Sequence, residues 1–540
     1  MGLLSDTPLL KNLQKICIEY TKKLAAFLYI GSILVFIAFC HNFLNNGNYF
    51  SENALMAGLA TSTYSLANAN SASNFNTFNG AEISSKLREI NGNVYNTSDG
   101  SILSVLHSSR GSPHESFIIH APFSMKTDEQ TISKNYGIGL VLSIADLFSQ
   151  QNYWSKDVLF IISDDVHKLD LTKHVNSIYS AVTIELESEN PAEIEFAIVG
   201  HNGQLPNLDL RNVLERLMYY AQEESSFPEV NHFHGKRPSR NNKPVGGMWK
   251  NRLIRPNSPQ ADDVDGLMYD VETTLEMLKK LAGGKSDGHH GDFLLRKIEA
   301  LTIRGIGSEG KFDLKFIGYL VEGVSRSVNN LLELFHQSFF YYLLPRTDRY
   351  MSNGDYCIPL IMLILIPLVF GVKFWFSEDG TDFDDNISEI PSILFIVTTV
   401  GLLSHANIWF SLIGVVAPQV HKFYRNTFSE TENPTEVKLG NKILALYCIV
   451  IASCMLSASL INFSLVFLSC LVIIPIMVPV IDGRSKVACF VLNCLPVLAF
   501  QTFLQEAPTL HSRYSGDFLT YNYVVFFLIP CFTCLRFFTV

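Results

Sequence analysis

From residue 41 to residue 356 the chain contains no cysteine, although the whole sequence of 540 residues has ten. That excludes a disulfide framework and a thiolate-held metal over most of its polar part. The cysteines that do occur, Cys17 and Cys40 at one end and Cys357 to Cys534 at the other, lie in or beside apolar segments, where cysteine behaves as a small hydrophobe. Charge is also scarce, at 17% of residues, against about 25% in an ordinary globular protein. Forty-one basic residues face fifty-one acidic ones, a net charge of −10, so no basic field for nucleic acid exists. There is no Gly-x-Ser-x-Gly elbow, no phosphate-cradling loop and no other nucleophile constellation.

What is abundant is apolar. Hydrophobic residues make up 48% of the chain and the mean hydropathy is +0.19. They collect in one early stretch and in a nearly continuous block from Cys357 onward. Residues 24–43 carry no charge, enough to cross a hydrocarbon core of about 30 Å. Bulky Phe39, Cys40, His41, Asn42 and Phe43 end the run where a cleaved signal would show small residues, so a retained anchor is expected. Lys11, Lys15, Lys22 and Lys23 precede it, and no Lys or Arg follows until Lys86. The basic flank stays cytosolic, which places the following domain in a lumen or outside the cell. Further candidate spans lie at about 357–376, 391–417, 442–461, 463–481, 487–504 and 520–538. The resulting odd count would put Lys422, Arg425, Arg484 and Lys486 on the lumenal side. A re-entrant 391–417, or a missed span, would return them to the cytosol.

The organisation read from these patterns is a cytosolic 1–23, an anchor at 24–43, an aqueous domain at 44–356 and a multi-span bundle at 357–540. Within the aqueous domain, residues 57–80, rich in Ser, Asn, Ala and Thr, read as a flexible or poorly packed connection. Strands are expected at 117–120, 157–163, 181–186, 194–199 and 298–303, and helices at 136–149, 168–178, 209–223 and 265–281. One long amphipathic helix is expected over 311–344, ended by Pro345, and an exposed loop over 224–262. Alternating strands and helices imply an α/β domain around a mostly parallel sheet. The fold class is therefore a multi-pass α-helical membrane protein with an extramembrane α/β domain. Asn96-Thr97-Ser98 is a glycosylation sequon.

Several runs carry a resemblance. They are Tyr49-Phe50-Ser51-Glu52-Asn53-Ala54-Leu55, the run Gly200 to Leu210 (GHNGQLPNLDL), His290-Gly291, Ile298 to Ile306, His336-Gln337-Ser338-Phe339-Phe340 and Leu343-Leu344-Pro345. Their order resembles the GPI-anchor attachment subunits of GPI transamidase. That resemblance implies an endoplasmic reticulum membrane protein, non-catalytic by itself, that presents the GPI glycolipid for attachment to precursor proteins bearing C-terminal GPI signals. It also implies partner subunits, including a cysteine-protease-like catalytic one, and a lumenal domain similar to zinc aminopeptidases. The chain departs from the family around 57–115, where expected helices are reduced.

A two-zinc aminopeptidase needs imidazoles and carboxylates converging from strand ends, with a bridging carboxylate and a glutamate base. The positions that could hold the remnant are His120, Asp164, Asp165, Glu185 and His290. The set is incomplete. His120-Ala121-Pro122 lacks the usual aspartate, and the bridging carboxylate is replaced by an amide near Asn135. No metal or other cofactor is expected, and an active membrane-anchored metallo-aminopeptidase is the alternative. His120 reads first as a hydrogen-bonded core histidine and Asp164-Asp165 first as a turn or helix cap, and the cluster Asp287, His289, His290 and Asp292 equally as a solvated loop. GHNGQLPNLDL reads as a tight connection with Asn207 or Asp209 capping a helix, or as a surface for partners or the substrate tail.

In the last apolar run, Pro530 frees the carbonyl of Phe526, which in lipid needs a partner. The family resemblance implies that this final span helps recognise the GPI lipid, with Tyr523 and Asn522 at its polar aromatic end. A simple packing kink explains the proline as well.

Overall fold

The computed structural model describes residues 8–41, 46–59, 62–97, 100–110, 115–126, 131–132, 135–173, 177–223, 264–308, 310, 312–346, 349–376, 445, 448–449, 451–453, 455–460 and 462–481. The chain divides into two compact units, one of Met1–Ala38, Ala282–Gly284 and Gly354–Val540, the other of Phe39–Leu281 and Lys285–Asn353. The strands are β1 (Asn46–Gly47), β2 (Val94–Asn96), β3 (Ile102–Leu106), β4 (Glu115–Ala121), β5 (Met125–Lys126), β6 (Thr131–Ile132), β7 (Asp157–Ile162), β8 (Ser177–Leu186), β9 (Glu193–Ala197), β10 (Glu299–Ile306), β11 (Tyr342–Arg346) and β12 (Arg349–Ser352). The helices are α1 (Pro8–Cys40), α2 (Leu66–Phe75), α3 (Gly80–Asn91), α4 (Gly137–Ser149), α5 (Leu208–Glu223), α6 (Val264–Gly283), α7 (His290–Leu295), α8 (Leu314–Asn329), α9 (Asn353–Phe376) and α10 (Phe463–Ile481).

The second unit is organised by a seven-stranded sheet in the order β2-β3-β7-β4-β8-β10-β9. Strands β7, β4, β8 and β10 are mutually parallel, while β2, β3 and β9 pair antiparallel at the edges. The centre is parallel because β4, β7 and β8 are near-continuous apolar runs that need covering on both faces. One face carries Ile118, Leu159, Ile161, Ala181 and Ala300, packed with Phe293 and Leu294 of α7. By the two-residue period of a strand, His120, Thr183, Glu185, Thr302 and Arg304 lie on that same face. The face thus turns from apolar to polar toward the carboxyl ends of the parallel strands. Helix α4, with Leu140, Leu142, Ile144 and Phe148 buried, packs against β4 and β8.

Three expectations are corrected. Residues 57–80 are not a loose connection. A 3-10 segment Asn53–Leu59 and helix α2 occupy the region, and α3 follows, so the stretch 57–115 is not poor in helix. Ser65 and Asn68 form a reciprocal capping box that starts α2. Its Ala72 lies against Gly139 of α4, where any added Cβ would collide with the Ala72 carbonyl. Small residues that look like low complexity are what let the two helices approach. The fully buried Glu322 carboxylate on α8 then accepts from the backbone N–H groups of Thr63 and Tyr64 and the hydroxyls of Ser62 and Thr63.

The helix expected at 168–178 is instead two 3-10 turns, Val166–Lys168 and Leu171–Lys173, before β8 begins at Ser177. Arg296 fixes the first turn by donating to the carbonyls of Val166, His167 and Leu169, which a helix would have kept for itself. The long helix expected over 311–344 stops at Asn329, and Tyr342–Arg346 is a strand containing Pro345. Both β11 and β12 belong to a second sheet, in the order β1-β12-β11. An edge position there tolerates proline's missing donor.

In the first unit, Tyr29 donates to the Leu471 carbonyl (2.8 Å), Ser32 donates to the Pro359 carbonyl (2.8 Å), and Phe36 meets Phe467 at 5.0 Å between ring centroids. Among the described residues, Tyr20–Cys40 and Asn353–Phe374 are long and apolar enough to cross a membrane. The expected spans at 391–417, 487–504 and 520–538, the loop at 224–262, and part of 442–461 lie outside the described residues.

Candidate functional site

The polar corner at the strand ends is built in two cross-strand rows. Pairing sets His120 beside Thr183, and Thr183 beside Thr302. One turn of the pleat further on, Glu185 of β8 lies opposite Arg304 of β10, which lies opposite Glu195 of β9. Register therefore assembles a carboxylate–guanidinium–carboxylate row before any side chain chooses a rotamer. Arg304 donates to Glu185 Oε2 through Nε (3.0 Å) and a terminal nitrogen (2.9 Å), and to Glu195 at 3.4 Å. It also donates to the Asp287 carbonyl.

The other Glu185 oxygen accepts from the His289 backbone N–H (3.1 Å) and Nδ1 (2.7 Å). Burial works against ionisation of Glu185, but the His289 hydrogen bond and the Arg304 charge prevail and hold its carboxyl down to about 2. Asp287 is pushed up to about 7, chiefly by burial, despite Lys280 nearby. Burial, together with His289, depresses His120 to about 4, and burial depresses His290 to about 3.

Each candidate of the aminopeptidase-type remnant has a place. His120 is fully buried, with Nε2 donating to the Ser163 carbonyl (2.9 Å) and Nδ1 accepting from the Thr183 hydroxyl (3.2 Å). His290 Nδ1 pairs with the Thr302 hydroxyl at 2.9 Å. Asp164 accepts from the Ser124 N–H (2.8 Å), and Asp165 caps the turn at Val166–Lys168. The structure thus gathers His120, Glu185 and His290 at one corner, while the two aspartates serve local backbone. Asp287, His289, His290 and Asp292 are not a solvated loop, since His289 is 8% exposed and His290 is fully buried. Arg304, Glu195 and Lys280 complete the corner and were not singled out from sequence. The one available signal was a lone arginine inside the apolar run Ile298 to Ile306.

These residues do not fit a two-zinc centre. Both oxygens of Glu185 are committed, one to a guanidinium that would repel a cation. His120 has neither ring nitrogen free. Asn135, at the bridging position, spends its amide donors on the carbonyls of Pro122 and Ile184 and its oxygen on the N–H groups of Gly137 and Leu186. Among the described residues no three His, Cys, Asp or Glu side chains are placed to hold a metal.

A second cluster forms where the signature runs meet. Asp209, fully buried at the start of α5, accepts from the N–H groups of Ser51 (3.1 Å) and Glu52 (2.9 Å). Its neighbour Leu208 donates to the Phe339 carbonyl (2.9 Å), and Tyr342 donates to that of Pro206 (3.0 Å). Asn212 reaches the Tyr49 carbonyl at 3.1 Å. Asn207 caps α5 through the Asp209 N–H (2.9 Å). The turn His201–Gly203 before it takes Asn202 and Gly203 to φ of 56° and 72°, a left-handed pair that asparagine and glycine tolerate best. Three separate sequence runs are thereby tied to one helix start. Asn522, Tyr523, Phe526 and Pro530 lie outside the described residues.

An α/β domain around a mostly parallel sheet, its strand-end corner neutralised internally, on a chain with apolar helices long enough to cross a membrane, defines the class of this protein. The chain belongs to the Gaa1-like family of GPI transamidase components, whose family model matches residues 98–500. It is 28% identical over 267 residues to the GPI transamidase component GAA1 of Saccharomyces cerevisiae, covering 47% of this chain and 38% of that protein. It is 25% identical over 316 residues to the Schizosaccharomyces pombe component, covering 54% and 48%. These matches span less than half the length of either relative. A solved structure described as a Zn-dependent exopeptidase, from Bacteroides vulgatus, aligns with 48% of this chain and 95% of its own at 11% identity and a TM-score of 0.30.

Proposed function

We propose that this chain is a non-catalytic subunit of GPI transamidase that presents the GPI lipid for attachment at the C-terminus of precursor proteins, with the precursor itself as a second cargo. Membership of the Gaa1-like family is the observation that carries the reading. The corner locked by Arg304, Glu185 and His289 supports the non-catalytic part. The chemistry then belongs to a cysteine-protease-like partner, whose thiol displaces the C-terminal signal peptide by breaking its peptide bond, holds the precursor as an acyl-enzyme, and is itself displaced by the GPI ethanolamine amine. The lysine-rich flank before residue 24 supports a cytosolic N-terminus in the endoplasmic reticulum membrane, with 44–356 lumenal and a multi-span bundle after it. Asn96, on edge strand β2, is then a lumenal glycosylation site.

The lipid contact proposed is the end of the last span, with Pro530, the Phe526 carbonyl it frees, Tyr523 and Asn522. Losing one good hydrogen bond to a charged head group would cost roughly 1.5–3 kcal/mol, or about ten- to a hundred-fold in affinity. The test is immunoprecipitation of full-length protein from cells fed labelled GPI precursors. Wild type should recover both a cysteine-protease-like subunit and the lipid, and Pro530→Leu should keep the subunit and lose the lipid. A preparation that brings down no such subunit overturns the complex reading. Unchanged lipid in an intact Pro530→Leu complex overturns the lipid site.

A further inference from the structure

The small sheet β1-β12-β11 has one end at which three strand ends meet. Tyr342 pairs with Ser352, so Tyr341, just before β11, lies beside Asn353, the first residue of α9. Strand β1 runs antiparallel to β12, with Asn46 opposite Tyr350 and Gly47 opposite Arg349. The apolar helix Asn353–Phe374 thus starts directly from the end of β12 beside which Tyr341 lies.

Beside that end the chain presents Phe339-Phe340-Tyr341. Tyr341 is 60% exposed, and the two phenylalanines are half-buried. Phe339 rests on the buried Tyr350 ring at 5.2 Å, and Tyr49 approaches Tyr350 from its other neighbour at 6.1 Å. One exposed tyrosine is unremarkable in water. Three consecutive aromatics at the point where an apolar helix starts from the sheet are a different matter. Tyrosine is enriched at membrane–water interfaces because its ring sits among acyl-chain ends while its hydroxyl stays at the head groups. From Gln337 to Arg346 the chain also carries no carboxylate, so nothing there would be repelled by lipid phosphates.

We infer that Tyr341, with Phe339 and Phe340, faces lipid in the head-group layer and seats this end of the sheet on the bilayer. The inference rests on the reading of α9 as a membrane span. The test places the photoreactive residue benzoylphenylalanine in the full-length protein, singly, at Tyr341, at Ile358, Ile361 or Leu365 of α9, and at Tyr95 on β2. All five positions are exposed. Irradiated microsomes are then analysed by mass spectrometry for phospholipid adducts. Position 341 and at least one α9 position should carry phospholipid, and position 95 several-fold less. If α9 positions take lipid but 341 gives a protein adduct or none, the span stands and the inference falls. Lipid at 95 as strong as at 341 also overturns it. If no α9 position takes lipid, the span reading fails and the inference fails with it.

Discussion

Two buried polar clusters of the second unit solve the same problem differently. The strand-end corner balances charge against charge, with Arg304 between Glu185 and Glu195. The junction at Asp209 has no such partner in its contacts with Ser51 and Glu52 and balances a carboxylate against backbone N–H groups. Burial accordingly raises Asp209, and those hydrogen bonds only partly offset it, whereas Glu185 is held down to about 2. The strand-end corner thus holds an ion network closed on itself. Of the runs that carry the resemblance, Tyr49 to Leu55, Gly200 to Leu210 and His336 to Phe340 converge on the other cluster, where they tie chain connections together, while His290-Gly291 and Ile298 to Ile306 build the corner.

The sharpest way to break that contrast is to remove the guanidinium. Arg304→Met leaves the buried Glu185 carboxylate without its guanidinium and held only by His289, and should cost about 3–5 kcal/mol, read as a large loss in denaturant midpoint or protein level. Adding Glu185→Leu should recover much of it, because the uncompensated charge is gone. GPI attachment per folded molecule should be unchanged in the double variant. Activity lost at normal protein level, together with stoichiometric zinc in wild type, would restore the metallo-enzyme reading.

The next effect is pH-dependent and belongs to the corner alone. His120 falls from 6.5 to about 4 because burial penalises the imidazolium. The unfolded chain therefore takes up a proton below about 6.5 that the folded chain refuses until about 4. Stability from this group is complete above the upper value and lost as pH falls through the window, on the order of 3 kcal/mol in all. His290 adds in the same direction. Asp287 and Glu299, raised to about 7 by burial, act oppositely, losing stability as pH rises toward 7. Urea unfolding between pH 7 and 4 should show a shallower acid loss in His120→Gln than in wild type. An identical slope would mean that His120 does not carry the effect.

At the junction, Asp209→Ala strands two backbone donors and should cost about 2 kcal/mol, while Asp209→Asn, which keeps an acceptor, should cost less. Limited proteolysis should report the loss near Ser51 and Glu52. Smallest of all, Asp165→Ala removes a turn cap and should cost about 1 kcal/mol or less, with GPI attachment intact. A collapse of attachment there would place Asp165 in chemistry after all.

Much of the strand-and-helix alternation was legible because strands β4, β7 and β8 are apolar runs of the right length. The central sheet positions needed nothing beyond that pattern. The region 57–80 was not legible, because alanine, serine and asparagine look alike in a loop and in a helix that must pass close to Gly139. His120, Glu185 and His290 could be nominated from the resemblance to zinc aminopeptidases. Their partners could not. Arg304 is 119 residues from Glu185, and Glu195 is 109 from Arg304. Local sequence thus determined which segments extend, which coil and which are apolar enough for lipid, since those choices depend on neighbours one to four residues away. Whether the corner would hold a metal or an arginine was decided by the parallel register of β8 and β10, because only that alignment brings a guanidinium within 3.0 Å of the carboxylate that a cation would need.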